Sequence, residues 1–142
     1  MNRHKQLNQL LKDLELDDAK DKLPNSLSGG MAQRVAIGRT LFLNRKFWVL
    51  DEPFSQLDAM TKRKLHRLIK TIVKEYQVTV VLVTHDINEA VQLSGRVIAL
   101  NSTPIKEPPI VEIEREGLSY QDFEFSELKQ QQVKQILDLI SE

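Results

Sequence analysis

Two hydrophobic runs of the sequence end in side chains that could bind a metal ion or move a proton. FWVL is followed by Asp51 and Glu52, and VTVVLVT is followed by His85 and Asp86. In open parallel sheets, ligands bind at the carboxyl ends of the strands, so these positions are candidates for a functional site. Asp51 offers the oxygen ligands that Mg²⁺ prefers, Glu52 could orient or deprotonate a water, and His85 could donate a hydrogen bond to a phosphate.

A third candidate is the segment NSLSGGMAQRVAIGRTL (25–41), in which Ser28, Gly29 and Gly30 lead into a helical pattern. Backbone N–H groups at a helix N-terminus lack internal partners, and the helix dipole favours negative charge there, so this start indicates an anion site. A phosphate-binding loop ending in Gly-Lys-Ser/Thr should accompany it, but none of the five glycines is followed by lysine. The sequence therefore combines a phosphate-facing helix with no phosphate cradle.

Taken alone, each of these features has an ordinary structural explanation. Strands often end in an acid, a single histidine after a strand is more often a structural hydrogen-bonder, and SGG before a helix is frequently only a cap. His4 and His66 lie on predicted helix faces and are interpreted as solvent-exposed. Met31, Val35 and Ile37 are interpreted as core positions.

Composition limits the class of protein. The 142 residues suit one domain, and a hydrophobic fraction of 41% is enough for a core. Lys plus Arg equals Asp plus Glu at 20 each, so nothing argues for nucleic acid or an anionic membrane as a direct partner. The absence of cysteine excludes disulfides and thiolate metal sites, and the three scattered histidines make no zinc pattern. No apolar run approaches the roughly 20 residues that span a bilayer, and the polar N-terminus is unlike a signal peptide, so a cytosolic protein is expected.

The elements that must position these side chains alternate between helix and strand. The predicted order is a helix over 3–15, a break at Pro24–Asn25, a helix from about Gly30 to Leu43, the strand FWVLD, a helix capped by Asp58, the strand VTVVLVTHD, the helix INEAVQL and the strand RVIAL. The apolar VTVVLVT run predicts a strand buried on both faces, as in a parallel sheet. This alternation predicts an α/β fold.

The sequence changes character after Leu100. NSTPIKEPP predicts a loop, IVEIE an edge strand and SELKQQQVKQILDLISE a terminal helix. The predicted buried side of this helix comprises Val133, Ile136, Leu137 and Ile140. The corresponding side of the helix after Asp58 comprises Leu65, Leu68, Ile69, Ile72, Val73 and Tyr76.

Four short segments, in this order, resemble the motifs of the ATP-binding cassette (ABC) ATPases. LSGGMAQR (27–34) is similar to their signature motif, FWVLDE (47–52) to Walker B with its catalytic glutamate, SQLD (55–58) to the D-loop and VTHD (83–86) to the H-loop. The resemblance covers roughly residues 5–116. Three features most resemble the importers for nitrate, sulfonates or taurine: Met31 after SGG, the segment DEPF and the downstream segment DINEAVQLSGRVIAL.

The resemblance implies that two nucleotide-binding domains sandwich two ATP molecules, each held by one domain's Walker A loop and sealed by the other's signature motif. It implies that Asp51 holds Mg²⁺, that Glu52 acts on the attacking water and that His85 contacts the γ-phosphate. The residues it assigns to nucleotide contact across the interface are Ser28, Gly29, Gly30, Met31 and Asp58.

The same resemblance implies a partial P-loop NTPase fold, a parallel sheet with flanking helices that lacks the Walker A strand and loop. Residues 1–26 correspond to the remainder of a helical subdomain, 27–100 to the signature helix and half of the RecA-like core, and 101–142 to a C-terminal loop, edge strand and helix. Implied partners are a second nucleotide-binding domain and transmembrane permease subunits, with no membrane insertion of its own. That arrangement places the chain in the cytoplasm, peripheral on the inner face of the cell membrane.

Three functions compete at this point. The first is an ABC importer ATPase subunit present as its C-terminal half and inactive alone. The second is a non-enzymatic module that docks on a complete ABC ATPase. The third, a nuclease- or chromosome-type ABC ATPase, is disfavoured because long heptad runs and a basic patch are absent.

The strand order of the family gives a structural expectation. The strand before Walker A should lie between VTVVLVT and RVIAL, and without it both neighbours have unpaired backbone groups. We expect one of three outcomes: RVIAL pairs directly with VTVVLVT, a second copy fills the edge, or the chain is molten. FWVLD should lie beside VTVVLVT, in parallel, in the first two.

The missing cradle predicts how the chain behaves toward nucleotide. Without a Walker A loop and its lysine, the β- and γ-phosphates of ATP lose most of their hydrogen-bond donors. We therefore expect the isolated chain neither to bind ATP measurably at submillimolar concentration nor to hydrolyse it. Calorimetry tests this, and micromolar affinity would contradict it.

Overall fold

The computed structural model of the chain describes residues 3–100 and 107–141, with side chains of the first helix described from residue 7 onward. The helices are α1 (Arg3–Asp13), α2 (Gly29–Phe42), α3 (Ala59–Tyr76), α4 (Ile87–Leu93), α5 (Tyr120–Glu124) and α6 (Glu127–Ser141). The strands are β1 (Phe47–Asp51), β2 (Thr79–Val83), β3 (Arg96–Ile98) and β4 (Ile110–Glu112). The side chain of His4 and most of the predicted NSTPIKEPP loop lie outside the described residues.

The predicted α/β alternation is confirmed, and the helix starts share a local cause. Ser28, Asp58 and Asp86 each precede a helix in extended backbone and accept hydrogen bonds from first-turn N–H groups. These bonds satisfy donors that the helix itself leaves unpaired. The five-residue helix α5, which was not predicted from the sequence, is capped in the same way by Ser119.

Strands β1 and β2 are neighbours, as predicted. The amide of Thr79 donates to the carbonyl of Lys46 at 2.7 Å, so the two strands begin side by side and run in parallel. Helix α3 is the crossover between them, which parallel pairing requires.

Direct pairing of RVIAL with VTVVLVT, one of the three expected outcomes, is not observed. Among the described residues, β3 pairs antiparallel with β4 in a separate two-stranded sheet, with Val97 opposite Val111. Both valines are buried, and Arg96 donates to Glu112 at 2.6 Å on the exposed face. β3 therefore satisfies its backbone and buries its apolar side chain with a strand that follows it in the chain.

The prediction that VTVVLVT is buried on both faces is also wrong. Val81 is 43% exposed and Val83 47% exposed, while Phe47 and Val49 on β1 are 62% and 61% exposed. Side chains at alternate positions of a strand point to one face. One face of each strand is therefore uncovered by the described part of the chain.

Three further side chains depart from the sequence interpretation. His66, interpreted as exposed, is 5% exposed, and its ring packs edge-on against Phe54 with centroids 4.4 Å apart. Leu137, predicted on the buried side of α6, is 44% exposed, and Val73, predicted on the buried side of α3, is 37% exposed. In all three cases the tertiary position of the helix, which periodicity does not specify, decides which flank is covered. Ile37 is buried as expected, whereas Met31 and Val35 are only half-buried.

The chain divides into two compact units, Met1–Val81 and Leu82–Glu142. In the first, α2 packs on α1 and α3, and the buried residues include Leu14, Trp48, Phe54 and Leu65. In the second, α4 packs on α6, and the core comprises Val91, Val97, Ala99, Val111, Ile113, Phe123 and Ile136. Across the described ranges, no helix has the length and apolar character needed to cross a bilayer.

Adjacent residues of α6 test this burial pattern. Ile136→Ala should lower the free energy of unfolding by about 2–5 kcal/mol, because its side chain is 2% exposed within the core of the second unit. Leu137→Ala removes a side chain that is 44% exposed and should cost less than about 1 kcal/mol. Urea unfolding measures both, and equal losses would contradict the placement of α6.

Candidate functional site

The N-terminus of α2 has the geometry of an anion site. Ser28 is the N-cap, and its Oγ accepts from the amide of Met31 at 3.3 Å. Ser28 and Gly29 are exposed, and the first turn of the helix contains no acidic residue. The positive end of a 14-residue helix therefore reaches solvent without an anionic side chain of its own.

The two glycines of this segment differ in what surrounds them. A Cβ on Gly29 would lie 3.5 Å from Leu57 Cδ2, which is ordinary contact. A Cβ on Gly30 would overlap the Cγ2 methyl of Thr61, and Gly30 is buried. The sequence suggested that both glycines let a phosphate approach the backbone. For Gly30 the structure shows a different requirement, which is close packing of α2 on α3.

Asp51 and Glu52 lie at the end of β1 as predicted. Asp51 is exposed, and Glu52 is half-buried in the left-handed region, with φ 45°. A non-glycine residue in that region carries backbone strain of about 1–3 kcal/mol. The Glu52 carbonyl accepts from the amide of Ser55 at 3.3 Å and from its Oγ at 3.1 Å, so a tight turn sustains this conformation.

The acidic residues fit Mg²⁺ only in combination with other ligands. The described residues contain no group of three Asp, Glu or His side chains that could hold a metal ion. Mg²⁺ in phosphate-transfer sites is usually held by one or two carboxylates, with phosphate oxygens and water completing the shell. The exposed carboxylate of Asp51 suits that arrangement, in which a nucleotide brings most of the ligands.

The carboxylate of Asp58 accepts hydrogen bonds from the first turn of its own helix, α3. Its Oδ1 accepts from the amides of Met60 and Thr61, both at 3.0 Å, and its Oδ2 accepts from Thr61 Oγ1 at 2.6 Å. The Thr61 hydroxyl is the main cause that lowers the pKa of Asp58, and the Thr61 amide adds to it. The carboxylate is exposed, so its oxygens remain open to a further partner from outside the chain.

His85 follows β2 in the second unit, and its ring is exposed. The residues beside it are fixed: the amide of Asp86 donates to Thr84 Oγ1 at 3.0 Å, and Thr84 Oγ1 donates to Glu89 Oε2 at 2.9 Å. Asp86 also caps α4 through the amide of Asn88, at 2.9 Å. The backbone on the C-terminal side of His85 is therefore tied to the start of a helix.

The far end of α4 is held by a residue that sequence reasoning missed. Arg115 Nη2 donates to the carbonyls of Val91, Gln92 and Ser94, at 3.1, 3.2 and 2.6 Å. Its guanidinium lies 5.0 Å from the centre of the Phe123 ring, and burial lowers its pKa. No local pattern reveals this role, because Arg115 follows α4 by more than twenty residues.

The predicted site residues thus fall into two groups. Inside the first unit, the signature segment (27–34) lies against the loop before α3 through the Gly29–Leu57 contact, and against the first turn of α3 through the Gly30–Thr61 contact. His85 lies in the second unit, with its own fixed surroundings. The importance of Thr61 was missed, although a threonine three residues after a capping aspartate is a visible signal.

Comparison with known proteins gives a consistent family. The family model described as ABC transporter matches residues 2–55. An aliphatic sulfonates import ATP-binding protein of Pseudomonas savastanoi is 47% identical over 96 residues, which are 68% of this chain and 40% of that protein. A bicarbonate transport ATP-binding protein of Synechocystis is 52% identical over 89 residues, which are 63% of this chain and 13% of that protein.

Solved structures agree with this. A metal-chelate type ABC transporter in an inward-facing conformation matches with a TM-score of 0.70 at 28% identity, over 78% of this chain and 43% of that chain. The cbiO1 protein of Clostridium perfringens, part of an ABC transporter complex, matches with a TM-score of 0.62 at 33% identity, over 67% and 38%. The chain therefore spans less than half the length of each of these relatives.

The capping role of Asp58 predicts a pH dependence. Its folded-state pKa is lowered, so its charged form stabilises the fold above the unfolded pKa of about 3.9, and this contribution is lost as pH falls through the folded value. The difference in unfolding midpoint between the wild type and Asp58→Asn should therefore be largest near neutral pH and shrink in acid. Asp21→Asn, which removes an exposed charge outside any helix start, is the control. A difference that grows on acidification would contradict the assignment.

Proposed function

We propose that this chain, which belongs to the ABC transporter ATPase family, acts on ATP that is held by a Walker A loop outside these 142 residues. In this proposal the chain contributes the signature segment, the Walker B acids and the H-loop histidine of an importer's ATP-hydrolysing subunit. It is inactive alone. The nucleotide cradle comes from a second nucleotide-binding domain or from further sequence of the same subunit.

The observation that carries the proposal is the open N-terminus of α2. Ser28 caps the helix, and the first turn contains no acidic side chain to balance the positive end of the helix dipole, which reaches solvent at Ser28 and Gly29. The 142 residues themselves contain no glycine followed by lysine, as a phosphate-binding loop would require. Such a start favours an anion, and in this proposal the anion is the γ-phosphate of ATP bound elsewhere. In this proposal Met31, which is half-buried two residues after Gly29, belongs to the same contact surface.

The residues after β1 supply the hydrolytic chemistry in this proposal. Mg²⁺, when bound with ATP, neutralises charge on the phosphates, and Asp51 is the side chain that would hold it. Glu52 orients the attacking water and accepts its proton, and the turn at 52–55 holds the Glu52 backbone at the strand end. His85 donates a hydrogen bond to the γ-phosphate, and Asp58 contacts the opposing half-site.

The proposal extends to the assembly. The relatives named above import aliphatic sulfonates or transport bicarbonate, and both cargoes are small anions. We therefore propose an importer of a small oxyanion. The chain would associate with a second nucleotide-binding domain and with permease subunits, on the cytoplasmic face of the membrane.

Reconstitution with an N-terminal ABC fragment that carries the Walker A loop, but neither Walker B acids nor a signature motif of its own, tests the roles of two residues. Glu52→Gln should reduce phosphate release by about 10²-fold or more while ATP stays bound, because the amide cannot accept the proton. Ser28→Arg should abolish turnover by placing a long side chain where the partner's ATP has to approach. The readouts are phosphate release and retained nucleotide.

Matched controls are available in the chain. Glu15→Gln makes the same change at another glutamate with positive φ, 54°, and Ser119→Arg makes the same change at another N-cap serine. Both controls should leave turnover within about twofold. Unchanged turnover in Glu52→Gln or Ser28→Arg, or equal losses in the controls, would argue for a non-enzymatic docking module.

A further inference from the structure

The signature segment and the SQLD loop meet at one side chain, Thr61. Its Oγ1 donates to Asp58 Oδ2 at 2.6 Å, and its Cγ2 methyl occupies the space that a Cβ on Gly30 would need. Thr61 lies in the first turn of α3 and Gly30 in the first turn of α2. The starts of the two helices therefore pack together at this point.

The hydrogen bond and the methyl contact depend on each other. Oγ1 and Cγ2 share the same Cβ, so rotation about χ1 cannot move the methyl away from Gly30 without moving the hydroxyl away from Asp58. Asp58 in turn accepts from two backbone amides of α3, which fixes its carboxylate. A displacement of α2 at Gly30 is thus opposed by the cap of α3.

We infer that Thr61 is a positioning residue that couples the signature segment to the SQLD loop, so that Ser28 and Asp58 are presented to a partner as one rigid surface. This inference rests on the proposed function for its catalytic meaning only, since the coupling itself is a property of the isolated chain. The inference also explains why residue 30 must be glycine. The hydrogen bond to Asp58 holds the Thr61 side chain in place, so its methyl cannot move to make room for a Cβ at residue 30.

A rescue experiment tests the coupling. Gly30→Ala should expose the first turn of α2 and speed amide exchange at Ala32, whose N–H donates to the Ser28 carbonyl, by about tenfold. Thr61→Ser removes Cγ2 but keeps the hydroxyl, so the double variant should return exchange at Ala32 to within about threefold of the wild type. Gly38→Ala is the matched control, because a Cβ there would overlap Leu14 instead, and Thr61→Ser should not rescue it.

A second variant keeps the test decisive if Gly30→Ala does not fold. Thr61→Val retains the methyl and removes the hydroxyl, and it should shift the amide resonances of Gly29, Gly30 and Met31 in the intact chain. Thr40→Val is its control, since the Thr40 hydroxyl donates only within α2, to the Ala36 carbonyl at 3.2 Å. Equal effects of the two variants on these resonances, or no rescue by Thr61→Ser in a folded pair, would overturn the coupling.

The reconstituted enzyme separates this inference from the proposed function. If the wild type hydrolyses ATP, Gly30→Ala should lower kcat by about tenfold with KM nearly unchanged, and Thr61→Ser should restore it. A wild type without turnover would count against the proposed function, while the exchange measurements would still decide the coupling.

Discussion

Helix capping is the interaction on which the candidate site depends. Backbone N–H groups in the first turn of a helix need acceptors, and Ser28, Asp58 and Asp86 supply them at α2, α3 and α4. Each cap lies within, or ends, one of the segments that resemble ABC motifs. The same bonds that start these helices therefore also fix the backbone that presents the candidate side chains.

This dependence explains why the local features could be predicted from the sequence. A cap is formed by residues three positions apart, so Asp58 and the starts of α2 and α4 follow from the sequence alone. The strand FWVLD and the helix INEAVQL have the predicted limits because their ends coincide with turn and cap residues. The pairing of β1 with β2 followed from the family topology, which adds information that periodicity lacks.

The features that were missed depend on distant parts of the chain. Periodicity gives α6 an apolar stripe but does not decide that Ile136 is covered while Leu137 is exposed. β3 pairs with β4, more than ten residues away, and His66 is buried by Phe54 from the preceding loop. The exposed apolar side chains Phe47, Val49, Val81 and Val83 belong to strands that were expected to be covered. Such a face is consistent with a chain that spans 40% or less of its curated relatives named above.

The central claim is that this chain contacts a nucleotide that another Walker A loop holds. Mn²⁺–ATP bound to a Walker A-bearing ABC domain, mixed with isotope-labelled chain, measures this contact through paramagnetic broadening of amide resonances. Selective broadening is expected at Ser28, Gly29 and Gly30, and none is expected when Mn²⁺–ATP is added to the chain without the partner. Uniform broadening, or broadening that leaves residues 28–30 unaffected in the complex, would contradict it.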